Sequence, residues 1–322
     1  MPWGGLTVYN LSHRTIWVAG HKGLVGSALL RRLEREHARV LTVDHADLDL
    51  CQQSDVEDFV AEARPDAIII AAAKVGGIQA NMRQPVAFLT DNLAINLNIA
   101  RAAHRSGVDR VMFLGSSCIY PRLAEQPIAE TALLTGDLEP TNQWYAMAKI
   151  AAVKLAQAYR EEFGRDYISV MPTNLYGPGD NFDLETSHVV PALLRKAHEA
   201  RLSRSPALPM WGTGKARREF LHVDDCADAL VFALKHYSHA LPLNIGTGQD
   251  IALIDLARMI CDITGFAGSI AYDASKPDGT PRKRLDTSRL NALGWKPRIG
   301  LRDGLISTYA WYCSTLGLGA AA

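Results

Sequence analysis

The sequence runs to 322 residues, 48% of them hydrophobic and 21% charged, which suits one large globular domain or two closely joined ones with a sizeable core. Thirty-four Lys plus Arg offset 34 Asp plus Glu, so no net charge favours nucleic acid or an anionic membrane as partner. Cys51, Cys118, Cys226, Cys261 and Cys313 are scattered without a CxxC spacing, which argues against a disulfide framework or a metal site. No apolar run reaches the ~18 residues of a membrane span. Residues 1–14 lack the apolar core and cleavage site of a signal peptide and read as a loose extension. These features point to a cytoplasmic protein that handles a small molecule.

From Thr15 onward, short apolar runs alternate with amphipathic stretches. Strands are predicted over residues 15–20, 39–44, 67–72, 110–114 and 167–171, and helices over 24–35, 55–63, 86–104 and 145–163. Such alternation predicts an α/β fold, a Rossmann-type doubly wound parallel sheet covered on both faces, over residues 15–178. After Gly177-Pro178-Gly179 the pattern loosens. Helices are predicted over 188–199 and 224–237, a strand over 243–245, and a polar surface loop over 273–284. Residues 179–322 are expected to form mainly a smaller α/β substrate domain, with some segments returning to the first sheet.

The first strand runs into Gly20-His21-Lys22-Gly23-Leu24-Val25-Gly26, where a helix begins. Glycines there permit a tight turn and close backbone approach, and the helix N-terminus offers N–H groups to a pyrophosphate. Strand, turn and helix in this order are the context that gives a glycine motif weight as a dinucleotide site. Asp44, at the end of the second predicted strand and 18 positions after Gly26, occupies the place from which an acid holds the ribose hydroxyls of NAD. Its charge repels a 2′-phosphate, whereas Lys22 and His45 can pair with one. The residues alone leave NAD and NADP both open.

Tyr145 and Lys149 stand four apart, on one face of the helix predicted over 145–163. A tyrosine is a poor acid–base group at neutral pH, and a neighbouring ammonium stabilises its phenolate. Ser116, at the end of the apolar fourth strand, can hydrogen-bond the substrate oxygen that Tyr145 serves. Leu114, Gly115, Ser116 and Ser117 after the fourth strand, and Pro172, Thr173, Asn174 and Leu175 after the fifth, are expected to line a nicotinamide pocket with Lys149.

Longer blocks extend the pattern: AAAKVGGI (71–78), LGSSCIYP (114–121), LEPTN (138–142), YAMAKIA (145–151) and VMPTNLYGP (170–178). SHVVPALLRK (187–196), REFLHVDD (218–225), NIGTG (244–248) and DASKPDGTPRK (273–283) follow. Together they resemble the extended short-chain dehydrogenase/reductases that act on nucleotide sugars and, within these, the GDP-L-fucose synthase family, over roughly residues 15–312. The resemblance implies a bifunctional enzyme that epimerises GDP-4-keto-6-deoxy-D-mannose at C3 and C5 and then reduces C4. It places Cys118, where similar dehydratases carry an acid, and His188 as the epimerising acid–base pair, with His188 also in the cofactor site. It places Lys196, Trp211, Arg218 and Asp278 at the GDP-sugar, and it implies a homodimer and NADP(H). The family usually carries arginines for the 2′-phosphate; Lys22 and Asp44-His45 stand here instead and keep NAD(H) in play. Other readings are a 4-epimerase or dehydratase of the same superfamily, or a non-catalytic dinucleotide sensor.

Overall fold

Apolar stretches rich in β-branched residues become strands, and the amphipathic segments between them become helices. In the computed structural model, which describes residues 8–273, 275 and 279–317, the first half alternates strands with helices. β1 (Thr15–Ala19), α1 (Leu24–Leu33), β2 (Arg39–Leu41), α2 (Gln53–Ala63) and β3 (Ala67–Ile70) lead into α3 (Ile78–Arg83) and α4 (Pro85–Arg105). β4 (Arg110–Leu114), α5 (Gln143–Phe163) and β5 (Asp166–Pro172) complete this half. The second half holds β6 (Asn174–Tyr176), α6 (Val189–Leu202), β7 (Ala207–Trp211), β8 (Arg217–His222), α7 (Val223–His236) and β9 (Leu243–Ile245). It ends with β10 (Asp250–Ala252), α8 (Leu253–Thr264), β11 (Ser269–Asp273), β12 (Arg282–Lys283), α9 (Ser288–Ala292) and α10 (Leu301–Thr315).

Six strands form one sheet in the order β2-β1-β3-β4-β5-β9, every neighbour parallel. Ile68, Ile69 and Ile70 are fully buried because both faces of this sheet are covered, which is why its strands read as unbroken apolar runs. One face packs on α1 and α7 through Leu29, Leu33, Leu230 and Leu234; the other packs on α2, α4 and α5 through Val56, Ile99 and Ala152. β2 and β3 lie on opposite sides of β1, so the strand order reverses there. A crevice opens at the carboxyl ends of the strands at this switch point.

β8 is the hub of the remaining strands. Its first residues pair with β12 (Lys283 opposite Arg218) and its last with β6 (Leu175 opposite Leu221), both parallel, while β10 pairs antiparallel. β7 and β11 make a separate parallel ribbon, and α6, α8 and α10 enclose a second core with Leu194, Leu256 and Leu305. No helix of the described residues is long and apolar enough to cross a membrane.

Three expectations change. Residues 8–14, read as loose, are anchored: Leu11 is buried in the core, and the Tyr9 hydroxyl donates to the Asp66 carbonyl at 3.0 Å; residues 1–7 lie outside the described residues. The second strand stops at Leu41, opposite Trp17, two residues short of the end of β1 at Ala19. Of residues 273–284, expected as a polar surface loop, described residues at both ends belong to strands. Asp273 closes β11, and Arg282–Lys283 join β8, with Arg282 gripping the Asp250 carboxylate at 2.6 and 3.0 Å.

Candidate active site

The turn between β1 and α1 is shaped for close approach. Gly20 has φ +86°, and a Cβ there would lie 2.5 Å from the Ala72 nitrogen; one on Gly26 would lie 2.1 Å from the Gly20 oxygen. No side chain caps α1, so its first N–H groups face the crevice that a pyrophosphate would fill. The groove has a volume of about 860 Å³, and Gly20, His21, Lys22, Gly23, Leu24 and Val25 form one end of it. Leu114–Ser117, Lys149, Pro172–Leu175 and His188 line the other end. Gly26 lies beneath the turn. Asp44, expected to face a ribose, is not on the groove wall; it accepts hydrogen bonds from Lys22 Nζ at 2.6 Å and His21 Nε2 at 3.1 Å.

Tyr145 and Lys149 lie one turn apart near the start of α5. Lys149 is buried and donates from Nζ to the Leu114 carbonyl at 2.7 Å, with Nζ 5.7 Å from the Tyr145 ring centre. Burial pulls the Lys149 ammonium down to about 8. Burial also pushes Tyr145 well above the usual phenol range, so it rests as a protonated phenol. A phenol is the form that donates to a developing alkoxide. Phe88 holds the Tyr145 ring edge-on at 6.4 Å.

A second cavity, about 370 Å³, adjoins the groove. Cys118, Lys196, Trp211, Arg218 and Lys283 line it, and Lys196 Nζ sits 5.5 Å over the Trp211 ring. Ser116, Tyr145, Asn174, Leu175 and His188 line both spaces, so they stand where a nicotinamide would meet a sugar. Lys149 belongs to the groove alone and Cys118 to the cavity alone. Asp278, expected at the GDP-sugar, lies outside the described residues. Ser116 Oγ accepts from the Cys118 N–H at 3.4 Å and so begins the short helical turn that carries the thiol. Burial raises the Cys118 thiol, against the lowering charges of Lys283 and Lys149. The protein packed around His188 and the Lys283 charge hold its imidazole neutral, although the ring opens to the cavity.

Residues 16–246 match the NAD-dependent epimerase/dehydratase family. The chain belongs to that family. It is 53% identical over 311 residues to a GDP-L-fucose synthase of Sinorhizobium fredii, covering 97% of this chain and 99% of that protein. It is 49% identical to a GDP-L-fucose synthase of Escherichia coli, covering 94% and 97% respectively. Among solved structures, a GDP-L-fucose synthetase from Naegleria fowleri bound to NADP superposes with a TM-score of 0.86 at 27% identity, covering 96% of this chain and 97% of that one.

Within the family frame, three residues emerge that sequence reasoning assigned no role. Lys283 reaches the cavity from β12, and its charge acts on both Cys118 and His188. Glu219, fully buried on β8, accepts from the backbone N–H groups of Thr247 at 2.6 Å, Gly248 at 2.8 Å and Leu285 at 2.7 Å. It thereby ties three distant blocks together and fixes the end of β12. Asn244 accepts the buried Tyr120 hydroxyl at 2.6 Å and so clamps the segment that carries Ser116 and Cys118. The only sequence signal for these was their presence in the REFLHVDD, NIGTG and DASKPDGTPRK blocks.

Proposed function

We propose that the chain converts GDP-4-keto-6-deoxy-D-mannose to GDP-L-fucose by epimerising C3 and C5 and then reducing C4 with NADPH. The observation that carries this reading is the shared wall: Ser116, Tyr145 and His188 border both the dinucleotide groove and the cavity, with Cys118 only on the cavity side. Identity near 50% over almost the whole chain to GDP-L-fucose synthases supports the substrate.

Protons on C3 and C5 are acidic because each carbon adjoins the C4 carbonyl. A neutral His188 and a Cys118 thiol hold one transferable proton between them, so one can take a proton while the other gives one. The hydroxyls of Ser116 and Tyr145 stabilise the enolate oxygen that forms at C4, and the Lys283 charge adds to that field. NADPH, when bound, supplies the hydride for C4. Tyr145 then donates its proton to the C4 oxygen, and Lys149 holds the groove wall beside it through the Leu114 carbonyl. Arg218 and Lys196 suit the pyrophosphate, and Trp211 offers a face for the nucleotide. Incubating the purified chain with GDP-4-keto-6-deoxymannose and NADPH should oxidise one NADPH per GDP-L-fucose formed. No NADPH oxidation with this 4-keto sugar, together with inversion of the 4-hydroxyl of a GDP-hexose without net redox, would make the chain a 4-epimerase instead.

The active form is a cytoplasmic homodimer in this reading. α4 and α5 pack side by side and expose Leu97, Trp144 and Met147, an apolar patch that a second copy would cover. Five unpaired cysteines suit a reducing compartment. Light scattering should give twice the chain mass, and Trp144→Glu should shift it toward the monomer.

A further inference from the structure

Along β8 the parallel partner changes. Arg217 and Arg218 pair with Arg282 and Lys283 of β12, and from Phe220 onward the partner is β6, beginning at Asn174. Glu219 stands between the two pairings and is fully buried. Its backbone carbonyl accepts from the Asn174 side-chain amide at 2.7 Å and the Thr173 hydroxyl at 3.3 Å. One oxygen of its carboxylate accepts the Leu285 N–H at 2.7 Å, two residues beyond Lys283, and so carries the hold on β12 past the end of its backbone ladder. The other oxygen accepts from the Thr247 and Gly248 N–H groups at 2.6 and 2.8 Å.

A buried carboxylate is costly unless its oxygens are filled with donors. Here three backbone N–H groups fill them, so the charge fixes the course of the main chain. Burial still pushes the Glu219 carboxyl above the usual range, against the pull of those donors. None of the three donors lines the groove or the cavity, so the carboxylate does not face the reacting atoms. Lys283 does line the cavity, and the titratable or charged groups that act on it or feel its charge are Cys118, His188, Glu139, Arg218 and Glu219 itself. Burial and Arg218 lower the Lys283 ammonium, while Cys118, Glu139 and Glu219 raise it.

We propose that Glu219 is the positioning residue of the epimerising half of the site: its carboxylate holds β12 at Leu285 and so keeps the Lys283 ammonium beside the Cys118 thiol. The consequence for turnover rests on the epimerisation proposed above. The groove wall at Asn174 depends on Glu219 only through its main chain, which a side-chain substitution leaves in place. Loss of the carboxylate therefore affects proton exchange and spares dinucleotide binding.

Alkylation of Cys118 by iodoacetamide tests the placement without any sugar, with mass mapping of the full chain to tell the five cysteines apart. In Glu219→Gln the pH midpoint for Cys118 should rise by about half a unit to one unit, because the thiolate loses its nearby cation. An anion acting on the thiol directly would give the opposite sign when removed. On a Lys283→Met background, Glu219→Gln should add nothing to the shift that Lys283→Met causes alone. In Glu219→Gln, C3/C5 exchange should slow on the order of tenfold while NADP⁺ affinity stays within about threefold. Replacing the Leu285 amide by an ester removes only the N–H that Glu219 accepts, and it should raise the midpoint too, which covers a Glu219→Gln chain that fails to fold. A midpoint that falls or stays put, an additive shift in the double variant, or a loss of NADP⁺ affinity as large as the loss of exchange would overturn the inference. If the midpoints moved as stated while the unaltered chain exchanged no protons at C3 and C5, the placement of Lys283 would stand and the proposed reaction would fall.

Discussion

Lys149→Met should make the protein more stable and almost inactive. The ammonium is 2% exposed and donates to the Leu114 carbonyl at 2.7 Å. Burial lowers its pKa from 10.5 to about 8. A fall of that size, at 1.36 kcal/mol per pH unit, corresponds to roughly 3 kcal/mol by which the charged lysine disfavours the folded state. Because the folded-state pKa lies below the unfolded one, the unfolded chain holds the proton more tightly. The penalty is therefore complete below about pH 8 and disappears as the pH rises through the unfolded value. Methionine removes it, at a cost of about 1 kcal/mol for the Leu114 carbonyl that loses its donor. A net gain of roughly 2 kcal/mol is expected by urea denaturation near neutral pH, shrinking to nothing or reversing at about pH 11. Turnover should fall by about 10²- to 10⁴-fold, the range for losing general acid–base assistance. A Lys149→Met protein that is less stable near neutral pH, with a gap that does not vary with pH, would refute the electrostatic argument.

Two further outcomes follow from the same geometry. Lys283→Met should raise the pH at which iodoacetamide alkylates Cys118 and slow C3/C5 proton exchange on the order of tenfold, with Lys283→Arg restoring much of both. The sign follows from the charges around the thiol: Lys283 and Lys149 lower its pKa together with the Ser116 hydroxyl, burial raises it, and the nearby Tyr145 is a neutral phenol. An alkylation profile that did not move would mean Lys283 acts on something else. Gly26→Ala should abolish dinucleotide binding and destabilise the fold by about 3 kcal/mol or more in a thermal melt, because the new methyl would lie 2.1 Å from a backbone oxygen.

The parts of the site that were legible in the sequence are those built by local pattern. The glycine turn sits between a strand and a helix that both announce themselves, and Tyr145 and Lys149 share a face because they are four residues apart on one helix. Ser116 and Cys118 follow from where β4 ends. What the sequence hid depends on pairing between distant segments. Lys283 lies in a stretch whose charge reads as solvent-exposed, and only its ladder with β8 and the Glu219 bond to Leu285 carry it into the cavity. Asp44 sits where a ribose acceptor belongs, yet Lys22, 22 residues earlier, reaches across the turn and takes it.

The central claim is that one wall serves two reactions, proton exchange at C3 and C5 and hydride transfer at C4. It is tested most directly by turnover of GDP-4-keto-6-deoxymannose in deuterium oxide with NADPH, comparing the unaltered chain with Cys118→Ser, His188→Gln and Tyr145→Phe. The unaltered chain should place deuterium at C3 and C5 of the product. Cys118→Ser and His188→Gln should lose that incorporation by about 10²-fold or more, and Tyr145→Phe should keep a slowed exchange in the substrate, with Ser116 still holding the enolate oxygen, while losing NADPH oxidation. Undiminished deuterium at C3 and C5 in both the cysteine and histidine variants would contradict the account.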